Sequence, residues 1–483
     1  MGALIAAVDK NGSNVFNTAV TMLESLSHRG FDAFGIASPQ KIVIKRTVQE
    51  LQKESISSNT LIGHNFAKNL PRDKAQPVKC RDFTLVFEGR LFPAPAKSEV
   101  ESIVEKFQSV EDKAMRIIRK LDGVYVFVIA KDNEIAVGRD SVGSHPLYFG
   151  ENEDICAVAS ERKALWKIDI MKTNSFPPGT LAVVNEKGFR FKTAKTITQP
   201  PLQKLDMEAA VQKLKQVLLQ STRERVSDVK EIAVAYSGGI DSSIIAFLTK
   251  LCHVDTRLIC VTLEGQKETA FAERAARALN LPLHHVTYSI DDIEEILPKV
   301  LWLIEEPNPV NASIAIPIFW VAEQSAKLGC HILMAGQGGD ELFGGYHRYL
   351  GDYARQGLIG LQRRLYQDVV SSHESNFQRD NKVCAFHRVE LRLPFADWDI
   401  IQLALSLPPN LKIASPNDLL RKRVLRQTAR KLGIPKSIAE KPKKAIQYTT
   451  GVNRAMRKLA KKEGLTLRKY VEKTFLKTYK MLE

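Results

Sequence analysis

The stretch IAVAYSGGIDSSIIAFL, residues 232–248, decides the fold. Ile232 to Tyr236 is apolar and β-branched enough for a buried strand, and Ile240 to Leu248 has helical spacing with Asp241, Ser242 and Ser243 in its first turn. The glycine pair therefore stands at a strand-to-helix turn. Such a turn asks for backbone freedom, and it points the N–H groups and positive dipole end of a helix start at whatever enters, which favours an anion such as phosphate. A plain tight turn before a capped helix uses the same residues, but SGGIDSS between a strand and a helix is the more specific pattern.

A Walker loop would place a Lys-Ser/Thr pair at the helix start, and this loop has no lysine. SGGIDSS resembles instead the PP-loop of enzymes that cleave ATP between the α- and β-phosphates. That resemblance implies that Ser237, Gly238, Gly239, Ser242 and Ser243 cradle pyrophosphate, while Asp241 binds Mg²⁺, a hard dication that takes oxygen ligands.

Working outward, the pattern on the two sides of this stretch differs. Residues 1–195 are strand-rich, with short β runs such as LIAAVDK, TLVFEGRLF, GVYVFVIAKDNEIAVGRD, ICAVASE and GTLAVVNEKGFRFKTA, and helical spacing in NVFNTAVTMLESLSHRG and EVESIVEKFQSVEDKAMRIIRKL. Residues 196–205, with two prolines, read as a linker. From 206 to 452 helices alternate with the strands 231–236, TRLICVTLE and PLHHVTY before a mainly helical part, which implies a parallel sheet with ligands outside the carboxyl ends of its strands. Residues 453–483 read as a basic amphipathic helical tail, in which Leu459, Leu465, Leu467, Tyr470, Val471, Phe475 and Leu476 are available for packing.

At 483 residues the chain is long for one core, and 44% hydrophobic with 26% charged residues is a globular balance. No apolar run approaches a membrane span, and the start MGALIAAVDK has neither a signal-peptide pattern nor the hydroxyl residue of a myristoylation site, so a soluble cytoplasmic protein is expected. The six cysteines lack Cys-x-x-Cys spacing and read as reduced core residues. His284 and His285 point to opposite faces if they lie in a strand, which argues against a shared metal. The net charge of +16 raises nucleic acid as a partner, yet it is concentrated in 421–444 and 454–480 rather than in a binding motif. The first of these blocks fits a phosphate-binding role, and the second fits a solvated helix face.

A second constellation follows another apolar run. Ile332 to Ala335 leads into Gly336, Gln337, Gly338, Gly339, Asp340 and Glu341, a glycine-and-acid loop facing the first loop, so that Asp241 and Asp340 could each give a metal an oxygen. With SGGIDSS at 237–243, GQGGDELFGGY at 336–346 and VELRLPF at 389–395, the chain resembles the glutamine-dependent asparagine synthetase family. The first half resembles that family's N-terminal-nucleophile amidotransferase domain through HRGFDAFGIA, the run 121–150, ASERKAL and FPPGTLAVV.

The resemblance implies an α+β N-terminal-nucleophile-type αββα sandwich followed by an α/β PP-loop domain with a parallel sheet and a helical C-terminal part. It also implies chemistry in which aspartate and ATP give β-aspartyl-AMP and pyrophosphate, and ammonia then gives asparagine; AMP is the better leaving group that makes the amide accessible. The same resemblance places Leu263 and Gly336 where the family contacts adenosine and implies that Asp340 is the second Mg²⁺ ligand. Lys444, and next to it Lys443, match the lysine that neutralises charge developing on the phosphates. Glu390 either orients a substrate amine or pairs with Arg392.

Two departures limit the carry-over. Gln337 stands where the family usually has Glu, and an amide orients by hydrogen bonds but takes no proton at neutral pH. Relatives that close lactam rings also replace that Glu. In the front half the family's exposed N-terminal cysteine is absent from Met1-Gly2-Ala3, Phe66 stands where Arg is common, and Glu88 where Asn is. The expectation is an amide-forming ligase using ATP, Mg²⁺, a small carboxylate (aspartate first) and ammonia, with a degenerate front domain. A separate glutaminase and a homodimer are compatible with it. Amidation or cyclisation of another carboxylate is the near alternative, and a PP-loop RNA-modifying enzyme is the distant one.

Overall fold

The computed structural model describes residues 2–107, 111–266, 268–442 and 446–480, and the chain separates into two compact units, Met1–Ile197 and Thr198–Glu483. Among the described residues the first unit holds two antiparallel sheets. In the seven-stranded sheet the strand Ala3–Asp9 runs between Ile155–Ala159 and Thr60–Phe66, with Ala33–Ala37 and Ile42–Lys45 beyond. In the six-stranded sheet Gly123–Lys131 runs between Glu134–Arg139 and Phe83–Leu91.

Alternation along a strand explains the layering. Leu4, Ala6 and Val8 meet Val86, Val126, Val128 and Val137 of the other sheet, whereas Ala3, Ile5 and Ala7 pack under Ala19, Val20 and Leu23 of the helix Phe16–Ser25. On the outer face of the six-stranded sheet, Phe83, Leu85 and Phe87 pack against Val100, Ile103, Ile117 and Ile118. The order of layers is αββα. The span 99–121, which reads as one helix, contains two, Glu99–Lys106 and Glu111–Lys120; the first starts in a capping box between Ser98 and Glu101.

In the second unit five parallel strands follow the order Leu283–Tyr288, Asp255–Leu263, Glu231–Ala235, Ile332–Met334, Glu390–Arg392. In chain order this is 3-2-1-4-5, so the winding reverses between Glu231–Ala235 and Ile332–Met334. The crevice beyond the carboxyl ends of those two strands is where open α/β sheets hold ligands, and the SGG and GQGG loops both leave from it.

Residues 199–205 lie along the second unit: the Gln203 N–H donates to the Ser406 carbonyl at 2.9 Å and Gln199 Nε2 to the Leu405 carbonyl at 2.9 Å. The segment read as a tail belongs to that unit's core. Its helices, Val452–Lys462 and Leu467–Lys480, bury Met456, Leu459, Tyr470 and Val471 among Leu297, Val300 and Leu301 of the helix Ile290–Ile304. Its charge run is the outer face of the pair, with Arg454, Arg457, Lys458, Lys461 and Lys462 exposed. No described helix is long and apolar enough to cross a membrane.

Candidate active site

The strand Glu231–Ala235 ends in Tyr236-Ser237-Gly238-Gly239, and Gly239 caps the helix Ile240–Leu251. Gly238 has φ +67°, and a Cβ there would stand 3.0 Å from Ala272 Cα, so the turn needs glycine. The Ser242 hydroxyl donates to the Gly239 carbonyl at 3.1 Å and closes the loop under the helix start. The loop after Ile332–Met334 comes equally close, since a Cβ on Gly336 would lie 2.8 Å from Asp241 Cβ. The two glycine loops therefore touch.

Their carboxylates converge on one cation. Lys422 Nζ lies 2.6 Å from both Asp241 oxygens and 2.6 Å from Asp340 Oδ1, with the lysine side chain wholly buried. Arg421 and Lys422 both have positive φ, +51° and +52°, strained values for residues with side chains. Arg426 holds this conformation by donating to the Arg421 carbonyl at 2.8 Å and the Leu420 carbonyl at 2.7 Å, while Arg421 Nε donates to the Gly345 carbonyl at 3.0 Å. Lys422 escaped the sequence motifs. Its only signal there is membership of the basic block 421–444.

Ser237, Asp241, Ser242, Gly336, Gln337 and Asp340 line one cavity of about 160 Å³. Its far wall is apolar, from Val261, Ala272, Ile314, Ile318 and Ile446. Burial pushes Tyr236 and Cys260 on its wall up to about 12, so both stay neutral at pH 7. A larger chamber of about 760 Å³ adjoins it and shares Glu268, Ile314, Tyr346, Asn376 and Arg379. Between the two, Glu341 accepts from Tyr346 Oη and, at 2.7 Å, from Asn376 Nδ2; burial and then the Asp340 charge raise its carboxyl above the usual range. Asn376 sits in a π-helical turn, His373–Phe377, an inserted register of the kind that re-aims side chains at functional sites.

Other expected residues lie elsewhere. Glu390 is 1% exposed, does not line either cavity, and accepts from Arg392 Nε at 2.7 Å; Arg392 in turn pairs with Asp228. Of the two roles open to Glu390, the ion pair is the one observed, because Glu390 is the first residue of its parallel strand and so sits at the amino end of the sheet, away from the carboxyl ends that carry the glycine loops. Ser243 is fully buried and donates to Tyr236 Oη at 3.3 Å, so its hydroxyl does not face the cavity. The Leu263 N–H donates to the Thr450 carbonyl at 2.9 Å, and Thr262 rather than Leu263 lines the cavity. Lys443 and Lys444 lie outside the described residues. His284 and His285 diverge, to Gln324 and to Thr262.

In the first unit, Gly2, His64 and Glu88 form a closed cluster. Glu88 accepts from the Gly2 N–H at 2.7 Å and from His64 Nε2 at 2.7 Å; burial, the largest single effect, opposes its ionisation, but the His64 hydrogen bond and the neighbouring positive charges together outweigh it and leave the carboxyl below the usual range. Arg29 donates to the Gly2 carbonyl at 2.9 Å and to Glu161 at 2.9 Å. Phe66 and Glu88 line a cavity of about 30 Å³, room for about one or two waters. A Cβ on Gly2 would overlap the Asn65 carbonyl oxygen.

Sequence comparison joins this geometry to known proteins. The asparagine synthase family model matches residues 213–360 and 354–480, and a glutamine amidotransferase domain model matches 69–177. A Methanocaldococcus jannaschii chain, provisionally called glutamine-hydrolyzing asparagine synthetase 1, is 28% identical over 94% of this chain and 94% of its own. A glutamine-hydrolyzing asparagine synthetase of Brassica oleracea is 26% identical over 71% of this chain and 60% of its own, and asparagine synthetase 2 of Lotus japonicus is 28% identical over 66% and 56%. With the family match spanning more than half of its length and falling on the unit that holds both glycine loops, the chain belongs to the asparagine synthase family of ligase-type enzymes.

Proposed function

We propose that the second unit joins a carboxylate to ATP, releasing pyrophosphate, and passes the resulting acyl-adenylate to ammonia, with aspartate the leading substrate and asparagine the product. One observation carries this reading: Asp241 and Asp340, on the two loops of the winding reversal, share a single buried cation position at the edge of a cavity. Two carboxylates within 2.6 Å of one ammonium nitrogen fit a hard divalent cation as well as they fit Lys422. Mg²⁺ held there would supply charge neutralisation to the phosphates. The chain's own contribution is electrostatic. The helix start at Gly239, Ser237 and Ser242 bind phosphate oxygens, Lys422 fills the shared cation position when no metal is there, and the apolar wall takes the nucleoside base.

The first unit is proposed to keep the amidotransferase fold without glutaminase chemistry. His64 and the Gly2 N–H take up the Glu88 carboxylate where glutamine would have to enter, the remaining space is about 30 Å³, and Phe66 cannot grip a carboxylate. Free ammonia, or ammonia from a separate glutaminase, is then the nitrogen source. A second acceptor class is favoured by the adjoining chamber, whose 760 Å³ is a size that takes drug-sized ligands and exceeds the needs of one small amino acid.

The test is ATP–pyrophosphate exchange by the purified chain, screened over aspartate and larger carboxylates, with product analysis. Exchange with aspartate and formation of AMP is expected. ADP and phosphate as products would overturn the adenylation reading, and exchange only with larger acids would transfer it to the second acceptor class.

A further inference from the structure

Asp380 belongs to no motif, yet it lies under the cavity floor. It sits in the helix Gln378–Phe386, is 1% exposed, accepts from Arg379 Nε at 2.8 Å, and accepts from Gln337 Nε2. Arg379 is itself braced by the Ser375 carbonyl at 2.8 Å and by Asn311 Oδ1 at 3.3 Å. A carboxylate paired with a guanidinium offers acceptors only, so the Gln337 amide must turn its NH₂ to Asp380. Its oxygen takes no part in that contact, and Gln337 lines the cavity.

We propose that Asp380 is a positioning residue that fixes the Gln337 amide with its oxygen toward the cavity, where this oxygen accepts a hydrogen bond from the nitrogen nucleophile of the amide-forming step. The inference rests on the ligase reading above. In that step the nitrogen lone pair forms the C–N bond, the acyl C–O bond to AMP breaks with its electron pair leaving on the AMP phosphate, and the surplus proton of the nitrogen goes to water. Gln337 orients and does not take the proton, because an amide oxygen is not a base at neutral pH.

The pair also explains the departure at 337. A glutamate there would set a second carboxylate against Asp380 within hydrogen-bond distance, and like charges at that range oppose each other's ionisation. Gln337 and Asp380 are thus a matched donor and acceptor, and exchanging their chemistry should restore the match.

The experiment is a double-mutant cycle on the full chain with Asp380→Asn, Gln337→Glu and both together. ATP–pyrophosphate exchange with the active carboxylate reports adenylation, and amide formed from ammonia reports the second step. Asp380→Asn is expected to keep exchange within about threefold and to lose about 10- to 100-fold in amide formation, as loss of orientation does. Gln337→Glu should lose amide formation similarly, and the double variant should recover to within about tenfold of wild type. Equal loss of both steps in Asp380→Asn, or a double variant no better than the worse single one, would overturn the proposal. If the wild-type chain exchanges no pyrophosphate with any carboxylate, the ligase reading fails by itself. The pairing is then judged by thermal unfolding of the same four proteins: additive Tm shifts overturn it, and a double variant more stable than Gln337→Glu supports it.

Discussion

The two units each bury a cluster of charges around a glycine, and the clusters differ in where their unsatisfied capacity points. Around Gly2, the carboxylates of Glu88 and Glu161 are consumed by His64, Arg29 and the Gly2 N–H, and the space left is about 30 Å³. Around Gly336, Asp241 and Asp340 share Lys422 at the rim of a 160 Å³ cavity that continues into a chamber of 760 Å³. A buried charge is tolerated in either place because it is paired, and the second pairing is the one that borders the larger space. On the proposed reading, in which the first unit keeps a fold without its chemistry, the position of the pairing partner is what separates the two.

The sharpest way to break this comparison is at the open cluster. Asp241→Asn and Asp340→Asn should each lower ATP–pyrophosphate exchange by about 1,000-fold or more while leaving the fold intact, since each removes a charged group from the proposed phosphate site. Circular dichroism and exchange rates check both halves, and near-normal exchange in either variant would remove that carboxylate from the site. Next in size is Lys422→Met, which leaves two carboxylates facing each other and should cost about 3–5 kcal/mol of stability along with activity. Adding Mg²⁺ should then raise its Tm more than that of wild type, and an equal rise in both proteins would mean that the shared cation position does not accept a metal.

At the closed cluster the effects are smaller and fall on stability. Gly2→Cys forces a side chain into the Asn65 carbonyl and should destabilise by about 1–3 kcal/mol without producing glutamate from glutamine. Robust glutamate release by that variant would show that the pocket can still open. Smallest is a pH effect. Burial depresses His145 to about 3, against about 6.5 when unfolded, so between these values the unfolded chain binds the extra proton and stability declines as pH falls. Burial lowers His28 as well, in the same direction. Urea midpoints between pH 7 and 4 should have a shallower slope in His145→Gln, and an unchanged slope would place the acid sensitivity elsewhere.

Much of the second unit was legible because its signals are local. The strands 231–236 and PLHHVTY fall within a residue of Glu231–Ala235 and Leu283–Tyr288, since apolar β-branched runs flanked by glycine or proline have few other uses. In the first unit Ala33–Ala37 and Thr60–Phe66 escaped notice. Both lie inside the seven-stranded sheet, buried on its two faces, so they show no alternation, and Gly35, Gly63 and His64 dilute their β character. The helix reading of 99–121 missed a division because apolar spacing continues across it. In the tail the apolar residues available for packing are the ones that pack, except Leu476, which is 59% exposed; what the sequence does not show is that they pack into the core of the second unit.

By itself the sequence determined the two glycine loops, the strand-to-helix turns that carry them, and the chemical character of the groups they present. These follow from backbone sterics and helix-start electrostatics, which act over a few residues. Only the tertiary structure decided which charges meet. Lys422 reaches Asp241 across 181 positions, Glu390 turns to Arg392 rather than to the cavity, and Asp380 comes up beneath Gln337. The physical reason is that a buried charge must find its partner wherever packing of the sheet and its covering helices brings one, and no local pattern encodes that encounter.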